Sequence, residues 1–211
     1  MSEARGTDTA SLAWALASHI SRKVLPENGR RAAVAAAVRR VPGEPRTFGA
    51  LREVAEFLPE PHDPAAERAF VAVAAMMCDQ PRRGRLAELA LQREGADVGE
   101  SERKRGWTAV TSLGDSCATA VNLKLQSASS METRLHAICR SHADGAHRLV
   151  PPLVGFLRAD AVDVNWPRLI EDLTWWDRRR ETIAARWLRE YYRGLNNSAE
   201  PSRKTKKKEQ Q

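Results

Sequence analysis

The side chains best suited to chemistry in this sequence fall into two groups. His136, Cys139, His142 and His147 lie close together in the chain, with His136 and Cys139 three residues apart and so on one face of a helix. Holding zinc would require them to converge around a deprotonated sulfur. Sequences that do so usually carry a paired cysteine knuckle, which is missing here, so these residues read as core or surface groups and no metal is expected. The second group is Arg178-Arg179-Arg180 followed by Arg186, Arg189 and Arg193. At about 100° per residue, Arg179, Arg186, Arg189 and Arg193 fall within roughly an 80° arc, and Ile183, Trp187 and Tyr191 fill the arc beside it. One face would pack and its neighbour would be basic. A guanidinium is a planar, permanently charged fork well matched to phosphate, but a solvated face neutralised by acids such as Glu190 would give the same pattern. Arg39-Arg40 at a helix end, and Arg134 with Arg140 on another helix, carry the same two readings.

Signatures of catalysis are missing from the sequence. It has no glycine-rich phosphate loop, no G-x-S-x-G turn and no carboxylate pair in an acid–base setting, so neither an enzyme nor a cofactor is expected. Over 211 residues, 42% are hydrophobic and 29% charged, as in a globular chain. The net charge of +7 divides unevenly: residues 201–211 carry +4 and residues 1–200 only +3. Of the basic residues 27 are Arg and 7 are Lys, with four of the Lys in residues 201–211, so the body's positive charge is almost all guanidinium. A GC-rich genome would favour the same Ala and Arg bias; so would phosphate recognition, and position must decide between them. Cys78, Cys117 and Cys139 are too widely spaced to suggest a bridge framework and read as buried apolar residues of a reducing compartment. Leu12-Ala-Trp-Ala-Leu-Ala17 follows Glu3 and Asp8, which makes it a poor secretion signal and a good first helix. No apolar stretch approaches the roughly 20 residues that span a bilayer, and a cytoplasmic protein is expected.

The elements that must position these side chains are helices. Ala, Leu, Arg and Glu recur at three- and four-residue spacing, and no useful length alternates as a strand would. Helices are predicted over about 8–24, 30–40 and 47–58. Another opens at Asp63-Pro64, where Asp63 is a good N-cap, and runs through Phe70, Val73 and Met77. A short helix at 86–93 leads into a glycine-rich, charged stretch. Beyond it come helices over about 110–126, from the capping box Ser129-Ser-Met-Glu132 to Arg140, and over 144–158 with Pro151-Pro152 inside. Asn165 caps a helix starting Trp166-Pro167, on which Leu169, Leu173 and Trp176 form an inward face. The last helix reaches Tyr192, with Gly194 as its stop. The fold class is therefore all-α: two small helical bundles at 1–93 and 107–195, joined by a loop over 94–106, with a disordered lysine-rich tail at 196–211.

The order of these pieces resembles the CasB family, the small subunit of the type I-E CRISPR Cascade complex. The most specific matching stretch is Val164-Asn-Trp-Pro-Arg-Leu-Ile-Glu-Asp-Leu-Thr-Trp-Trp-Asp-Arg-Arg-Arg180. Arg39-Arg40-Val41 before a proline-rich break, Ser112-Leu113-Gly114, and Glu132-Thr-Arg134 with Arg140 support it. The resemblance implies a non-enzymatic subunit, two copies of which associate head to tail beside the backbone and large subunits. It also implies basic surfaces that hold the guide RNA and the target DNA, both target and displaced strands, so that the R-loop stays open. Carried onto this chain, the nucleic-acid-binding residues are Arg39, Arg40, Arg134, Arg140, Arg178 and Arg179. Asp115 stands where relatives have a basic residue after the Ser-Leu-Gly turn, so no contact is carried over to that turn. The rival reading is a free-standing helical DNA-binding regulator. It would need a compact helix-turn-helix, and the Arg82–Arg93 region does not offer a convincing one.

Overall fold

Small apolar residues at helical spacing give the first helix, α1 (Glu3–His19), a stripe of Ala13, Leu16 and Ala17 that continues onto Ile20, where the chain widens into a π turn over Ile20–Val24. The computed structural model describes residues 3–94 and 107–199, with side chains described over 9–90 and 107–197. All regular structure among them is helical. Next come α2 (Asn28–Ala35), and α3 (Phe48–Val54) between single 3-10 turns.

The central helix of the first half is α4 (Pro64–Asp79). Asp63 caps it by accepting from the Ala65 amide at 3.0 Å, Pro64 occupies the first turn, and buried residues line it from Ala66 to Cys78. It is followed by α5 (Arg82–Glu94), α6 (Leu113–Asn122), α7 (Ala128–Cys139), α8 (Ala143–Ala159), α9 (Trp166–Thr174) and α10 (Trp176–Ala199). α9 comes from the second half of the chain yet packs on α1 and α4, while α10 packs along α6. The α6–α10 seam is tight. A Cβ on Gly114 would run into the Trp187 carbonyl, and one on Gly194 would lie 2.5 Å from the Ala118 Cβ.

Several expected boundaries move for physical reasons. Gly194 does not end the last helix. It lets α10 approach α6, and the helix continues to Ala199, four residues into the expected tail. The cap of α7 is Ser127, whose side chain accepts from the Ser130 amide at 3.2 Å, rather than Ser129. Despite its alanines, α2 stops at Ala35, and Arg39 takes a left-handed φ of 60° that swings the chain toward Val41-Pro42. α8 runs unbroken through Pro151 and Pro152. Residues 95–106 of the expected joining loop, and 200–211 of the expected tail, lie outside the described residues.

A buried polar cluster ties the two halves together. Arg158, 1% exposed, donates from Nε to Gln80 (2.8 Å), from Nη1 to the Val162 carbonyl (2.9 Å) and from Nη2 to the Gly84 carbonyl (2.6 Å). Glu88 lies 3.6 Å from the same guanidinium and accepts from Ser21, Trp107 (2.8 Å) and Trp166 (3.1 Å). Burial lowers the Arg158 pKa, and Glu88 and Asp163 pull it back.

Candidate functional site

The Trp166–Arg180 stretch folds as its pattern dictates. Asn165 accepts from the Arg168 amide at 3.0 Å and starts α9, and Leu169, Leu173 and Trp176 are buried together. Asp172, on the same inward side, accepts from the Trp187 indole at 2.6 Å and also holds Arg186 and Arg168. Burial pushes its pKa up against the pull of those arginines. This anchor turns Arg186 inward, and the Arg186 Nε is buried with no partner among the described residues. Glu190 likewise turns away from the basic side to meet the Ser112 hydroxyl.

The basic arc predicted on the last helix is thereby reshaped. Arg179 has non-helical angles (φ −136°, ψ 23°), so a uniform rotation per residue does not carry across it. The kink lets Arg178 and Arg179 fold back over one ring: their guanidinium carbons lie 5.2 and 5.0 Å from the centroid of the half-buried Trp175. Next door, buried Trp176 donates to the Ser141 carbonyl at 3.1 Å, and Arg180 lies 3.3 Å from His142 Nδ1. The Arg140–His142 turn is thus held against the start of α10, beside a cleft of about 400 Å³ lined by His142 and residues 176–182.

Arg178 also reaches across to the first half, where its Nη1 lies 3.2 Å from the Asp63 carboxylate. Beyond Asp63 a second cavity of about 560 Å³ runs to Val41-Pro42, past Glu67, His147 and Asp177, and so ends beside the Arg39-Arg40 turn. The structure therefore brings Arg178 and Arg179 together over Trp175, whereas Arg140 turns its Nε back to the His136 carbonyl (3.2 Å), and Arg39 and Arg40 directly precede the Val41-Pro42 end of the second cavity. Arg134 is elsewhere on α7, about 120° around from Arg140, with its guanidinium 4.8 Å from the Phe156 ring centroid. All six are exposed. Arg40 is 3.7 Å from Glu44 and Arg178 is paired with Asp63. Arg39, Arg134, Arg140 and Arg179 have no carboxylate at ion-pair distance among the described residues.

The histidine and cysteine group disperses. His136 lies 3.0 Å from the Tyr192 hydroxyl, which donates to Glu132, a bond that pushes the tyrosine pKa up to about 12. His147 is buried, and its pKa is lowered to about 4 by desolvation and by nearby Arg68. Burial raises the Cys139 thiol to about 11 and Cys78 to about 12, and lifts Cys117 as well. Among the described residues no cluster of three such groups could hold a metal ion, and no helix is long and apolar enough to cross a membrane.

The family model of CRISPR-associated protein Cse2 matches residues 30–192. The chain belongs to this family. A solved chain of a CRISPR RNA-guided surveillance complex is 36% identical, with 92% of this chain and 99% of that one covered and a TM-score of 0.75. A chain of such a complex in a pre-nicking state is 37% identical, with 92% and 98% covered and a TM-score of 0.78. The crystal structure of M. ruber CasB, 18% identical with 89% and 96% covered, shares the fold at a TM-score of 0.63. No curated protein matches the sequence. Within the family frame, Asp115 has a local role here: it accepts from the Thr111 amide at 3.0 Å and closes the turn before α6.

Sequence reasoning did not place Trp175 or Asp63 on this face, and left Arg180 of the basic triplet out of the six binding residues. A signal for the first was present, since Trp175 with Arg178 and Arg179 is a ring followed by cations three and four residues on. Nothing local pairs Asp63 with Arg178, 115 positions away.

Proposed function

We propose that this chain is the small, non-enzymatic subunit of a type I-E CRISPR surveillance complex, Cascade. Its role is to hold guide RNA, target DNA and the displaced strand on basic helical surfaces that include Arg39, Arg40, Arg134, Arg140, Arg178 and Arg179. The observation that carries this reading is the exposed Arg178–Arg179 pair, stacked on Trp175 beside the Arg140–His142 turn, in a chain 36–37% identical to chains of solved RNA-guided surveillance complexes. Two copies lie head to tail beside the backbone and large subunits.

Such a face suits the task physically. R-loop formation exchanges one duplex for another of similar stability, so modest backbone contacts tip it. Arginine–phosphate contacts carry no base information, as a complex that reads sequence by pairing requires. A net +3 over residues 1–200 also limits indiscriminate binding outside the assembly.

The test is purification of the tagged chain from its host, with sequencing of the RNA that accompanies it. Short repeat-bounded RNAs, together with larger Cascade proteins, are expected. Their absence while the genes are expressed overturns the reading, as does tight binding of the free chain to one particular operator. In the assembled complex, reversing Arg178 and Arg179 to Glu is expected to weaken displaced-strand binding and flatten its salt dependence.

A further inference from the structure

Among the six exposed arginines, Arg178 is held in an unusual way. Its guanidinium meets both the Trp175 ring, 5.2 Å from the centroid, and the Asp63 carboxylate, 3.2 Å from Nη1, and the side chain is 57% exposed. The Arg40–Glu44 pair joins neighbours in one turn, four residues apart. Asp63 instead arrives from the opposite half of the chain and is fixed there by the backbone, because its other oxygen caps α4 through the Ala65 amide. The carboxylate is thus presented where a phosphate oxygen would sit against Arg178, and its own cavity, of about 180 Å³, borders the same arginine.

We propose that Asp63 is a built-in competitor for phosphate at Arg178, which sets how tightly this face holds a strand. The proposal rests on the nucleic-acid reading above. A phosphate oxygen that takes the Nη1 donor of Arg178 displaces Asp63 from it, and the freed carboxylate then recruits a cation from solution. That uptake offsets the cation the phosphate releases, so Asp63 lowers both affinity and salt dependence. Free chains would bind strands weakly, whereas in an assembly that already holds the strand nearby the exchange would become favourable.

The substitution Asp63→Asn tests this, because asparagine caps a helix as well as aspartate does and removes only the charge. Asp63→Ser, also a good cap, guards against an effect peculiar to the amide. Binding of a fluorescent single-stranded DNA by the full chain is measured between 50 and 200 mM salt, for wild type, D63N, D63S, Arg178→Gln and D63N/R178Q. D63N and D63S are expected to bind about two- to fivefold more tightly at low salt, the strength of an exposed ion pair. Their salt slope should steepen by up to about 0.7, the increment of one phosphate contact on a single strand. In the R178Q background D63N should change little. An equal gain with and without Arg178 would mean a general field effect and overturn the proposal, as would no gain in D63N when R178Q alone weakens binding. If R178Q leaves binding unchanged, Arg178 does not contact the strand, and the reading of this face falls together with the competitor.

Discussion

Arg158 and Arg178 carry the same group at opposite extremes of setting. Arg158 is enclosed where α5, α8 and α9 meet and gives its donors to Gln80, Gly84 and Val162, with Glu88 and Asp163 for charge. Arg178 stands in solvent with one carboxylate and one aromatic face. The interior guanidinium has a hydrogen-bond partner on each of its three nitrogens and cannot leave them without stripping buried Glu88 of its counter-charge. The surface one keeps donors free and can trade its acid for another anion. Whether an arginine here serves architecture or recognition is decided by how many of its donors are already bound.

Removing a partner from the interior should have the largest effect. Glu88→Ala strips Arg158 of a buried counter-charge and leaves the Trp107 and Trp166 indoles without their acceptor. A loss of about 3–5 kcal/mol is expected in urea unfolding, the usual consequence of breaking a buried ion pair. A smaller effect comes from a group that is buried but poorly supported. His147 has its pKa lowered to about 4 from 6.5, so the unfolded chain takes up the proton first. Stability is then complete above about pH 6.5 and declines as the pH falls toward 4, by roughly 3 kcal/mol. Urea midpoints measured across that window should fall for wild type and fall less for His147→Gln. The smallest change in stability belongs to the exposed face. Arg179→Gln should leave unfolding within about 0.5 kcal/mol of wild type, while the salt slope of single-strand binding drops by about 0.7. A stability loss for Arg179→Gln as large as that for Glu88→Ala would erase the distinction between the two settings.

Much of this could be read along the chain because it is local. Asp63-Pro64 and Asn165-Trp166-Pro167 announce their helices through caps whose geometry spans three residues, and Leu169, Leu173 and Trp176 follow a simple period. All six candidate arginines are exposed, although their spatial grouping is not legible in the sequence. The features that escaped depend on contacts between distant segments. Gly194 has the composition of a helix stop, but Ala118 across the seam requires it to be small within a helix. Arg186 fits the basic arc by rotation, yet buried Asp172 claims it, and the kink at Arg179 breaks the rotation itself. The Arg158–Glu88 cluster gathers residues from position 21 to 166, none of which signals the others in sequence.

The half-buried Trp175 has one more consequence. A free arginine side chain carries about 2 kcal/mol of rotamer entropy, which an anion must suppress when it binds. Stacked on one indole, Arg178 and Arg179 have surrendered part of that freedom during folding. The first turn of α10 therefore delivers its two cations already oriented, and an arriving phosphate need not immobilise them from scratch.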